Sequence, residues 1–69
     1  MQSTRYEITV RGRLGATVAA AFDGLTARSS AAETVLSGEI DQAALHGALD
    51  RIESLGLELL GVRRVATAE

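Results

Sequence analysis

The run DQAALHGALDRIESLGLELLGVRRV, Asp41 to Val65, constrains the fold of this chain more than any other segment. Asp41 stands where a helix N-cap belongs, since its carboxylate can accept from open first-turn amides and is favoured by the positive end of the helix dipole. Leu45, Ala48, Leu49, Ile52 and Leu55 then recur at three- and four-residue spacing, with Gln42, Gly47, Asp50, Arg51 and Ser54 on the opposite side. The pattern predicts one amphipathic helix, ended at Gly56 by the left-handed conformation that glycine accepts. Leu57 to Val65 resumes as a strand with Gly61 as a candidate bulge. Both of its faces are partly apolar, because Leu60 and Val62 have one parity and Leu57, Leu59 and Val65 the other.

The segment before it is read the same way. Arg5 to Arg13 alternates, with Tyr6, Ile8 and Val10 on one side and Arg5, Glu7, Thr9, Arg11 and Arg13 on the other, which is the period of a strand with one wet face. Leu14, Val18, Phe22 and Leu25 recur at helical spacing through an Ala-rich stretch, predicting a helix of two to three turns stopped by Asp23-Gly24. Leu25 to Ser30 and Glu33 to Ile40 read as two short strands joined as a hairpin, with Gly38 marking a bulge or a close backbone contact. Residues 1–4 and 66–69 have no periodic apolar partner and are expected to fray.

The order strand, helix, strand, strand, helix, strand predicts one small α+β domain over residues 1–69. Its expected form is the ferredoxin-like βαββαβ arrangement, a four-stranded antiparallel sheet with two helices on one face. The first and third strands are then central, with Arg5 near Glu39 and Arg11 or Arg13 near Glu33 across the open face.

Composition narrows the function classes. At 69 residues a single core is marginal, since a domain of this size buries only about 60% of its unfolded surface. The chain has no Cys and one His, so neither a disulfide nor a structural metal is expected to supply the difference, and a partner subunit is the remaining source. The formal net charge is -2, every basic residue is Arg, and the longest run of like charge is Arg63-Arg64. Nucleic acid is therefore not an expected partner. No apolar run approaches the ~20 residues of a membrane span, and the N-terminus lacks a signal-peptide pattern, so the expected location is cytoplasmic and no membrane partner is expected.

Three constellations invite chemistry. Arg11-Gly12-Arg13-Leu14-Gly15 puts two glycines at a strand-to-helix junction, making Gly12, Arg13 and Gly15 candidate ligand-binding residues through backbone amides; turn geometry explains both glycines equally well. His46, Asp50 and Glu53 could line one flank of the second helix, but a general base needs a cleft and an oriented partner and zinc needs convergent ligands. No catalytic residue, metal site or cofactor is assigned. Arg5, Arg11, Arg13 and Arg28 interleave with Glu7, Glu33 and Glu39, the composition of a solvated sheet face. Val35, Leu59 and Val65 are expected to share that open face and to form an interface between subunits.

YEITVR at Tyr6 to Arg11, AAFDGL, TVLSG and DQAALHGALDRIESLGLELLGVRR together resemble a group of short uncharacterised single-domain proteins of high-GC bacteria, over nearly the whole chain. That resemblance implies a stand-alone domain and brings no assigned activity with it. At the level of fold the chain also resembles ACT-like regulatory modules, which dimerise and often hold a small ligand at the loop equivalent to Gly12 to Phe22. Here Arg13-Leu14 replaces the Asp or Asn typical of that loop. The resulting expectation is a non-enzymatic homo-oligomeric accessory or regulatory module, a dimer by preference, binding a protein partner or small ligand. The alternative is a small enzyme or enzyme subunit whose pocket forms between protomers.

Overall fold

β1, Thr4–Arg11, realises the alternation of its sequence: Ile8 and Val10 are buried, Tyr6 is half-buried beside them, and Arg5 and Arg11 are exposed. The structure is a computed structural model and describes residues 3–65. Gly12, at φ +89°, ends the strand two residues before the expected Arg13, because a left-handed residue cannot continue the ladder. The fraying expected of residues 1, 2 and 66–69 lies outside the described residues. Thr4, also expected to fray, is the first residue of β1 and pairs with Ile40.

The first helix is shorter than its periodicity implied. α1 covers Ala16–Ala19; the Ala19 and Ala20 amides bond to carbonyls four residues back, whereas those of Ala21 and Phe22 bond to Val18 and Ala19, three back. Gly15 offers no side-chain cap and the first turn holds no acid, so nothing offsets the cost of nucleation in so short a segment. The tighter three-residue bonding carries Phe22 into the core. Gly24, at φ +81°, turns the chain toward β2, but it lies four residues beyond the Ala20 cap of α1 and so is not the helix stop expected of Asp23-Gly24.

β2, Thr26–Ser29, and β3, Glu33–Ile40, form the expected hairpin, closed by the Ser30 amide donating to the Glu33 carbonyl at 2.7 Å. Gly38 is the close contact rather than the bulge: its pairing runs without a shift, and a Cβ built there would strike the Gly24 carbonyl oxygen. α2, Gln42–Ser54, begins as predicted, the Asp41 carboxylate accepting from the Ala44 amide at 2.8 Å. It ends in a Schellman motif: Gly56, at φ +73°, donates to Glu53, and Leu57 donates to Ile52, each at 3.0 Å. β4 then spans Leu59–Val65.

The four strands form one antiparallel sheet in the order β2-β3-β1-β4, with β3 and β1 central. Arg5 lies opposite Glu39 and Arg11 opposite Glu33, as expected. Ile8, Val10, Leu36 and Ile40 of the central pair join Phe22 and the Leu45, Ala48 and Ile52 stripe of α2 in one core. The stripe is narrower than predicted, since Leu49 is half-buried and Leu55 is exposed. Leu55 is the C-cap, where the chain already leaves the helix.

Thr34 is the one buried polar side chain among the described residues. Its hydroxyl donates to the Gly12 carbonyl at 2.8 Å and accepts from the Leu14 amide at 3.2 Å, and it lies 2.9 Å from Ser29 Oγ, which is left to donate. One hydroxyl thus fastens the β1–α1 loop to the hairpin. Thr34→Val, which keeps the shape and removes the bonds, is expected to cost about 2 kcal/mol, measured as a lowered urea midpoint at unchanged slope.

Candidate interaction surface

The register of β4 decides what the protein exposes. Running from Arg5 opposite Val65, the pairing is regular through Ile8 opposite Val62 and Thr9 opposite Gly61, and then Val10 meets Leu59. Leu60 is the extra residue, so the bulge predicted at Gly61 sits beside it. One added residue resets the alternation. Leu59 consequently lies on the side of buried Val10 rather than with Val35 and Val65, which corrects the expectation that all three share the open face. Val35, opposite Thr9, and Val65, opposite Arg5, do lie there, each half-buried.

On the helix side, Leu59 faces a cleft of about 340 Å³ between α2 and β4, floored by Leu49, Ile52 and Leu57 and edged by Asp50 and Glu53. The Schellman turn builds this cleft, because it sets Leu57 one residue past Gly56 beside Ile52. Val62 follows Leu59 on the same side of β4, opposite Ile8. Leu55, Leu59, Leu60 and Val62 are each between 42% and 46% exposed, a concentration of large apolar side chains in one short stretch. Sequence reasoning missed this cleft, although Leu49 on the flank of the stripe and the LGLELL run were its signal.

The open face is polar by comparison. Arg5, Glu7, Arg28 and Ser37 surround Val35 there. Two ion pairs form among the described residues, Arg11 with Glu58 and Arg63 with Glu7, both at 2.8 Å. Arg11 thus reaches to the approach of β4 rather than to Glu33 across the sheet. Both pairs are open to solvent, where such contacts are worth about 0 to 1 kcal/mol.

The glycine loop is engaged internally. The Gly12 amide donates to the Ala32 carbonyl at 2.7 Å and the Leu14 amide to Thr34, while Arg13 and Gly15 are exposed at either side of Leu14. His46, Asp50 and Glu53 are all exposed on α2, and no three His, Asp or Glu side chains converge to hold a metal among the described residues. Among the described residues, no helix is long and apolar enough to cross a membrane.

A family model described as a domain of unknown function, DUF8691, matches residues 5–63. The chain belongs to that family. The matched span takes in all but the first residue of β1, the whole of β2, β3 and both helices, and β4 as far as Arg63, so the bulge and the cleft fall within the DUF8691 domain. No curated protein and no solved structure matches the chain.

Proposed function

We propose that this DUF8691 domain is a non-enzymatic accessory or regulatory module that self-associates through the flank formed by α2 and β4. The observation that carries the reading is the exposure of Leu55, Leu59, Leu60 and Val62 within one short stretch of chain, with Leu59 opening onto a cleft whose floor is leucine and isoleucine. Single exposed apolar residues are ordinary, but a cluster of them with a polar rim marks a surface that another molecule covers. Small size adds weight, because a 69-residue chain has little core to stand on and gains from burying more.

We read the fold as ferredoxin-like, with both helices on one face. The strand order β2-β3-β1-β4 and a common core joining Phe22 and α2 to Ile8 and Leu36 support that reading. The resemblance to ACT-like modules is an analogy of fold, and fold does not carry function with it. A binding role rather than catalysis is favoured by the cleft's chemistry: its polar lining is two exposed carboxylates, Asp50 and Glu53, and a carboxylate acting as acid or base needs an environment that tunes it and a partner that orients it.

Sedimentation velocity over a range of protein concentrations tests the reading. The full chain is expected to show a concentration-dependent dimer, and Leu59→Asp, exposed and therefore compatible with folding, is expected to shift it to monomer with an unchanged far-UV circular dichroism spectrum. A chain that stays monomeric at every concentration, or a dimer indifferent to Leu59→Asp, overturns it.

A further inference from the structure

Resting on the self-association proposed above, we infer that the α2–β4 cleft is occupied by the same flank of a second copy, with Arg64 of each copy set against Asp50 and Glu53 of the other. The helix-side surface of β4 has two unlike ends. Asp50 and Glu53 edge the cleft at the Leu59 end, and Arg64, opposite Tyr6, shares that side at the far end beyond Val62. Between them lie Leu59 and Val62, both exposed. A two-fold interface brings one patch against itself in reverse, so that each residue meets in the other copy the one that meets it. A patch that is acidic at one end, apolar in the middle and basic at the other is self-complementary under that operation.

The state of the charges agrees with this placement. On β4 and its approach, Arg63 is matched by Glu7 and Glu58 by Arg11, whereas Arg64, and on α2 Asp50, Glu53 and the Arg51 between them, enter no ion pair among the described residues. Arg51 lies outside the cleft lining, beside Gly47 and Ser54. A basic peptide from an unrelated partner would match the two acids but leave Arg64 without a counterpart; a second copy supplies both. Extension of the sheet by pairing β4 with β4 is disfavoured, because the bulge at Leu60 and the adjacent arginines are features that guard a sheet edge. The contact is therefore made by the helix-side face of the flank rather than by backbone ladder.

Sedimentation equilibrium on the full chain tests the inference with three variants, Arg64→Glu, the pair Asp50→Arg with Glu53→Arg, and all three changes together. All three positions are exposed, and an unchanged thermal midpoint of each variant's circular dichroism establishes folding. Arg64→Glu and the acid pair are each expected to weaken dimerisation about tenfold or more, since like charges then face each other twice across the axis, and the combined variant is expected to recover most of the loss. If either charge reversal leaves the dimer unchanged, or the combination fails to restore it, the inference is overturned while self-association stands. A wild-type chain without any dimer overturns both.

Discussion

Gly38→Ala is expected to destabilise the domain by about 3 kcal/mol, the largest effect of any single added methyl group. Gly38 lies in β3 opposite Tyr6, and the new Cβ would run into the Gly24 carbonyl oxygen, with Leu25 Cδ2 at 3.2 Å and the Gly24 carbonyl carbon at 3.4 Å. A side chain in the way can change rotamer, but a backbone carbonyl moves only with its chain. That chain is fixed by the positive φ of Gly24 and by the Leu25 amide's bond to Phe22 at 3.3 Å. Total stability at this size is only about 3 to 10 kcal/mol, so the loss is a large share of it. Urea denaturation reads the effect, and Gly61→Ala serves as the control. A Cβ at Gly61 meets nothing within 4 Å, and the expected change there is within about 0.5 kcal/mol.

Leu36→Ala is expected to cost about 4 kcal/mol. Leu36 is fully buried in the second central strand, opposite Ile8 on one side and Ala27 on the other. Its removal leaves a void bounded by two strands whose backbones are held in register, which limits how far the site can collapse. The same truncation at Leu60, 43% exposed on the bulge, opens no cavity and is expected to cost well under 1 kcal/mol. Comparable costs at the two positions in denaturant unfolding would contradict the packing described for the sheet.

Much of the fold was legible in the residues, and the reasons are specific. Arg5 to Val10 alternates without interruption, so its strand and its buried face follow directly. Asp41 and Gly56 bracket α2 because a carboxylate cap and a left-handed closing residue are local devices that need no tertiary help. The order of hairpin and helices then leaves β1 and β3 central and antiparallel, which sets Arg5 near Glu39 and either Arg11 or Arg13 near Glu33; the register selects Arg11.

What was less legible depends on contacts distant in sequence. The length of α1 is one such case: the apolar spacing from Leu14 to Phe22 is helical, but the Leu14 amide is held by Thr34, twenty residues away, and the uncapped turn that follows tightens instead of extending. The side taken by Leu59 is another. Gly61 signalled a bulge, yet which residue is supernumerary depends on how β4 meets β1, and a one-residue slip exchanges the two faces. The cleft was hidden for the same reason, since Leu49 and Leu59 become neighbours only once that slip is placed.

The irregularity at Leu60 therefore has a reach out of proportion to its size. Had the ladder run true, the first leucine of β4 would have joined the arginine-bearing side of the layer, and the leucine-lined hollow beneath α2 would have lost one wall. The stickiest ground on this molecule owes its existence to a miscount of one in the strand that borders it.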